Sequence, residues 1–207
     1  TARGGLNKLD LYQKPISHYR KNPFDENSLS SNLINCVYED LEDNIWVGTF
    51  DGGLNLVDKS KGETEIFHIN EFGNKSIYNI TQDANLDFYC SVSDEGLYRF
   101  KWENGIKELQ KIEIIDEDGN EYNNISRILI DSDGIFWLGR DGNQPGVIRY
   151  APASKKERKK FTFYKEGIGA NKTVEIYRVA DLFEDSNGDI WVGTSGFGLF
   201  RLVSIFL

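Results

Sequence analysis

The side chains in this chain that could do chemistry are planar polar groups and aromatics at turns. They suit hydrogen bonding better than bond breaking. Arg140, Asn143 and Gln144 fall in one turn, Arg140-Asp-Gly-Asn-Gln-Pro145. A guanidinium and two carboxamides beside an aromatic bind sugar hydroxyls or a carboxylate through flat, paired hydrogen bonds. Corresponding turns offer Phe50 with Asp51, and Phe197. A plain solvated loop is the competing reading for the Arg140 turn. A second set comes from counting back four positions from recurrent turn aspartates, which gives Cys36, Asn79, Arg127 and Asp181. If these side chains face a common channel, Arg127 and Asp181 form a structural ion pair or hold a polar ligand.

No set of residues has the spacing of a catalytic or metal centre. His18 and His68 both fall in outer, fourth-strand segments and lack neighbouring Cys, His or paired carboxylates. There is no nucleophile elbow, phosphate loop or His-Glu-x-x-His. The Asp-x-x-Gly turns lack the alternating ligands and closing Glu of a calcium loop. We therefore expect no catalytic residue, no metal and no cofactor in this segment. Cys36 and Cys90 lie in different repeats, where siblings carry small or apolar residues. They read as buried fillers, with a disulfide as the alternative. Four Asn-x-Ser/Thr sequons, at Asn74, Asn79, Asn124 and Asn171, carry little weight.

These residues must be positioned by a repeat. Four times an acidic residue precedes a large aromatic by six positions: Asp40 to Trp46, Asp83 to Tyr89, Asp131 to Trp137 and Asp185 to Trp191. Each aromatic is followed by a closing apolar residue, Leu54, Leu97, Val147 and Leu199 in turn. The aromatics recur after 43, 48 and 54 residues, a period that suits β-propeller blades. Each copy reads as an apolar inner strand, an Asp/Asn/Gly turn, a second strand with an internal glycine, a Gly-rich turn, a third strand and a more polar fourth. The equivalent placement of Trp46, Trp137 and Trp191 predicts packing between blades rather than a sugar-stacking ladder.

The expected fold is all-β: one partial propeller over 1–207, with part of a blade at 1–22 and blades near 23–70, 71–116, 117–166 and 167–207. Thr1-Ala-Arg-Gly-Gly-Leu-Asn overlays Thr49-Phe-Asp-Gly-Gly-Leu-Asn, which reads as a chain that opens inside a blade. A seven-bladed ring at this period needs roughly 300 residues. The segment is thus expected to join remaining blades of a longer chain or to self-associate. One further option is a small closed ring, with Ile16 to Arg20 as the outer strand beside Leu199 to Val203.

The chain has 33 Asp and Glu against 24 Lys and Arg, a net charge of −9. That balance argues against a nucleic-acid partner and is compatible with neutral ligands such as sugars. Lys155-Lys-Glu-Arg-Lys-Lys160 is the one dense basic run, read as a solvated connection. No stretch approaches 18 apolar residues, so no membrane contact is expected within the segment.

The strings EDLEDNIWVGTFDGGLNLV at 39–57 and EDSNGDIWVGTSGFGLFRLV at 184–203 resemble the two-component regulator propeller repeat. The Gly-His and Trp-Asp hallmarks of WD40 repeats are missing. The resemblance implies a periplasmic, extracytoplasmic sensor region of a bacterial hybrid histidine kinase. It also implies an oligosaccharide ligand and no catalysis in the propeller itself. A scaffold or adhesion propeller is the alternative reading, and a propeller lyase a more distant one.

Overall fold

Each repeat is organised by its turn aspartate. The computed structural model describes residues 18–58, 65–142, 146–152, 161–168 and 173–202. Asp40 Oδ1 accepts the backbone N–H groups of Glu42 and Asn44, both at 2.9 Å, and its Oδ2 accepts the Trp46 indole N–H at 2.8 Å. Asp131 does the same for Asp133, Ile135 and the Trp137 indole. Asp185 does so for Asn187, Asp189 and the Trp191 indole. One carboxylate thereby fixes the turn backbone and the strand that follows it.

These turns link four antiparallel sheets whose strands pair in chain order. The first blade holds β1 (Ile34–Glu39), β2 (Ile45–Thr49), β3 (Leu54–Asp58) and β4 (Glu65–Ile69). The second holds β5 (Ile77–Gln82), β6 (Phe88–Val92), β7 (Gly96–Trp102) and β8 (Ile106–Ile112). The third holds β9 (Ile125–Ile130), β10 (Phe136–Arg140), β11 (Val147–Tyr150) and β12 (Phe161–Tyr164). A hairpin, β13 (Glu166–Ile168) and β14 (Thr173–Glu175), then leads into the fourth blade. That blade holds β15 (Val179–Glu184), β16 (Ile190–Thr194) and β17 (Leu199–Leu202). The first strands β1, β5, β9 and β15 stand next to one another in succession, so they line the axis of a β-propeller. The hairpin has no counterpart in the sequence reading. His18 to Arg20 form no strand, and Ile16 lies outside the described residues.

The cores lie between blades. Trp46, Leu54 and Leu56 of the first blade pack on Ile77, Ile80, Phe88 and Phe100 of the second. Tyr89 and Leu97 pack on Ile125, Phe136 and Leu138, and Trp137 and Val147 on Val179, Leu182 and Val192. Trp46 sits 4.9 Å from Phe88 and 5.2 Å from Trp102, centroid to centroid, the inter-blade packing expected for the repeated aromatic. Gly48 and Gly139 permit this approach. A Cβ at Gly139 would stand 2.5 Å from Val179 Cγ1 of the next blade.

The two end faces differ from the interior ones. Leu54, Leu97 and Val147 are fully buried, whereas the equivalent Leu199 is 65% exposed. Ile80, Ile128 and Leu182 are buried, whereas the equivalent Val37 is 63% exposed. The segment before β1 covers the outer half of the first blade, where Leu29 packs on Val47, Val57 and Ile66. The Ser30 N–H donates to Asn55 Oδ1 at 3.0 Å to hold it there.

Candidate functional site

A bulge recurs at one place in every inner strand. In the first blade Ile34 pairs with Thr49 and Cys36 with Gly48, so Asn35 is skipped. Tyr78, Ser126 and Ala180 are skipped in the same way. A bulge interrupts strict alternation and re-aims a side chain. Here it brings Asn35, Tyr78, Ser126 and Ala180 to one cavity of about 570 Å³ where the four inner strands converge. Arg127, Asp141, Arg178 and Ser195 complete the wall.

Two of the bulged side chains also join neighbouring blades. Asn35 Nδ2 donates to the Ile77 carbonyl at 3.1 Å, and Ser126 Oγ donates to the Val179 carbonyl at 3.0 Å. Tyr78 Oη donates instead to Ser93 Oγ of its own blade at 3.3 Å. Arg127 Nη1 donates to the Ser126 carbonyl at 2.7 Å, which leaves the rest of its fork beside the cavity. The wall thus offers two guanidiniums, a phenol, a carboxamide, hydroxyls and one carboxylate. That mixture can donate to and accept from a polar ligand.

The expected channel set of Cys36, Asn79, Arg127 and Asp181 is one position out of register. Of these only Arg127 reaches the cavity. Cys36 packs instead against the core between the first two blades. No described ion pair joins Arg127 to Asp181. The Asp181 carboxylate accepts the Leu182 N–H at 3.0 Å. The physical reason is the bulge, which adds a residue that simple alternation does not count.

The turn residues divide. Arg140 is the last residue of β10, not part of an exposed turn, and is only 2% exposed. Its guanidinium carbon lies 4.2 Å from the centre of the Tyr122 ring. Burial pulls its pKa down to about 10, so it stays cationic at neutral pH. Asn143 and Gln144 lie outside the described residues. Phe50 is exposed, while Asp51 accepts the Ser31 hydroxyl. Phe197 is exposed and packs on Tyr177 at 5.4 Å. That aromatic pair adjoins the cavity wall, because the Ser195 N–H donates to the Arg178 carbonyl at 2.9 Å.

Sequence reasoning missed Asn35, Tyr78 and Ser126, whose signal was a polar residue five positions before the turn aspartate in three of four copies. It also missed Tyr177 and Arg178, which carry no repeat signal. His68 Nε2 lies 2.7 Å from the Ser28 carbonyl, and His18 is exposed. Both cysteines are free thiols, and burial pushes Cys36 up to about 11. Among the described residues, no three His, Cys, Asp or Glu side chains gather as metal ligands. No described helix is long and apolar enough to cross a membrane.

Residues 28–51 and 175–196 match the model of the two-component regulator propeller. Both matches run through an inner strand and its turn aspartate to the second strand. No curated protein matches the sequence. PorZ, a surface component of the type-IX secretion system of Porphyromonas gingivalis, superposes with a TM-score of 0.61 at 17% identity over 90% of this chain. A domain named as the extracellular part of a hybrid two-component system of B. thetaiotaomicron gives 0.51 at 17% over 84%. A protein named as a 6-phosphogluconolactonase of Bacteroides uniformis gives 0.54 at 12% over 86%. This chain spans 28%, 29% and 52% of those three chains. Likeness at such identities conveys the propeller fold alone.

Proposed function

We propose that this chain, built from two-component regulator propeller repeats, is the ligand-receiving segment of an extracytoplasmic sensor. We further propose that its ligand is an oligosaccharide. The observation that carries the reading is the axial cavity. Four bulges bring side chains from four blades to one polar site, and the repeat does not hold their types constant. Tyr78, Ser126 and Arg127, and Arg178 belong to the second, third and fourth blades respectively. A ligand that spans them ties those blades together.

Signalling then needs only a difference in affinity. A sugar that prefers one arrangement of the blades shifts the population toward it and biases how sensor chains associate. The segment contributes binding and no bond chemistry. The match to the two-component regulator propeller supports the sensory and extracytoplasmic parts of this proposal. The mixture of donors and acceptors on the wall supports the saccharide.

An oligosaccharide array probed with the chain, followed by calorimetric titration of the hits, tests it. Arg127→Ala and Tyr78→Ala are expected to weaken binding at least tenfold with little change in thermal stability. An empty array, or undiminished affinity in both variants, would reject the axial site.

A further inference from the structure

The repeat builds one backbone junction at the entrance to each inner strand, and the fourth blade departs from it. The carbonyls of Leu33, Ser76, Asn124 and Arg178 each accept an N–H from the turn after the second strand, donated by Phe50, Ser93, Asp141 and Ser195 in turn. Of the four acceptors only Arg178 has a left-handed backbone, with φ of 48°. That conformation is unfavourable for a long side chain, and such outliers cluster at ligand sites. Arg178 lines the axial cavity together with Arg127 of the third blade.

These two guanidiniums are the cations of the axial wall, and Asp141 is its one carboxylate. Arg127 is half-buried and Arg178 is exposed, so both present surface to an occupant. Among the described residues, neither guanidinium forms an ion pair. The acids around the axis bond to their own surroundings instead. Asp141 Oδ1 accepts the Gly142 N–H at 2.8 Å, Asp181 Oδ1 the Leu182 N–H at 3.0 Å, and Glu175 the Tyr177 hydroxyl at 2.8 Å. In the first two blades Asp51 accepts the Ser31 hydroxyl and Asp94 the Ser93 hydroxyl, and neither belongs to the wall. The cavity is therefore polarised: both cations stand on the third and fourth blades, while the first two present Asn35 and Tyr78. Two like charges on one wall favour an anion between them, in a chain whose net charge is −9.

We propose that the axial site selects acidic saccharides, with a uronate carboxylate held between Arg127 and Arg178; this rests on the reading of that cavity as the saccharide site. A guanidinium is a planar fork of N–H donors that matches a carboxylate with two parallel hydrogen bonds. Arg127 is oriented for this by the bond from its Nη1 to the Ser126 carbonyl, and Arg178 by its left-handed backbone. The sugar hydroxyls face the carboxamide of Asn35 and the phenol of Tyr78. The charge asymmetry of the wall thus fixes which end of the ligand points to which blades.

The 207-residue chain is screened on an array that pairs each uronate-containing oligosaccharide with its carboxyl-reduced counterpart and also carries sulfate esters of neutral saccharides. Hits are then titrated by calorimetry. The tightest ligand is expected to be a uronate that binds at least tenfold more tightly than its reduced counterpart. Arg178→Gly removes the guanidinium and suits the left-handed backbone. This variant is expected to melt no lower than the wild type and to bind the uronate at least tenfold more weakly. Its affinity for the reduced counterpart is expected to stay within about threefold of the wild type. Equal affinity for the paired saccharides, or an equal loss of both in Arg178→Gly, would overturn the carboxylate assignment and leave the axial saccharide reading standing. Undiminished uronate binding by that variant, or tighter binding of sulfate esters than of uronates, would also overturn it. An array without hits would reject the axial reading and this inference with it.

Discussion

The Trp46 indole donates to Asp40 Oδ2 at 2.8 Å while its ring packs on Phe88 and Trp102. A single side chain therefore couples a turn in one blade to the face of the next. This bond is the physical content of the six-residue interval between acid and aromatic.

Breaking it should cost most where the aromatic is enclosed. Trp46→Phe removes the donor from a buried carboxylate and part of the ring from the core. We expect a loss of about 2–4 kcal/mol by urea denaturation. Trp191→Phe, on the exposed face of the fourth blade, should cost clearly less. Equal losses would mean that the fourth face is covered.

The strand glycines make a parallel contrast. A Cβ at Gly139 would meet Val179, and one at Gly48 would meet Cys36 and Ile77, each within 3 Å. Gly139→Ala and Gly48→Ala should each destabilise by roughly 1–3 kcal/mol. At Gly193 an added Cβ comes no closer than 3.8 Å to Asp181, so Gly193→Ala should be nearly neutral in the same assay.

Acid should act through the turns. Hydrogen bonding, first from the Tyr122 hydroxyl and then from Asn120, holds Asp116 well below its ordinary value of 3.8, and the Trp191 indole lowers Asp185. A depressed carboxylate pKa gives stability that is present above the unfolded value and is lost as pH falls through the folded one. Melting temperature should therefore fall below about pH 4. Asp116→Asn should show a shallower fall over that window. An identical acid profile would contradict the assignment.

One turn carries strain that a single change can relieve. The left-handed place in these turns is held by Asp43, Leu86, Gly134 and Gly188, with φ of 64, 66, 77 and 80°. Leu86 is half exposed and loses little packing when shortened. Leu86→Gly should stabilise by a few tenths to about 1 kcal/mol, since the left-handed penalty for a side chain exceeds the entropic cost of glycine.

The blades and their turns were legible because a carboxylate that binds two N–H groups and an indole imposes fixed spacing. The axis was not, because a bulge shifts it from Arg127 and its equivalents to Ser126 and its equivalents. Arg140 looked like a turn residue because its cover lies on another connection. Asp116 and Tyr122 repeat the acid–aromatic interval there, with Tyr122 Oη donating to Asp116 Oδ2 at 2.6 Å, and the Tyr122 ring caps Arg140. Nothing in the local sequence near Arg140 announces that lid. Tyr89 was legible as a weakened copy of the tryptophan.

The most direct test is an NMR titration of the chain with the tightest oligosaccharide from the array. Ligand should shift the amides of Asn35, Tyr78, Ser126 and Ala180 together, with one shared affinity that Arg127→Ala weakens at least tenfold. A saturating ligand that leaves those four amides unmoved would contradict an axial sensing site.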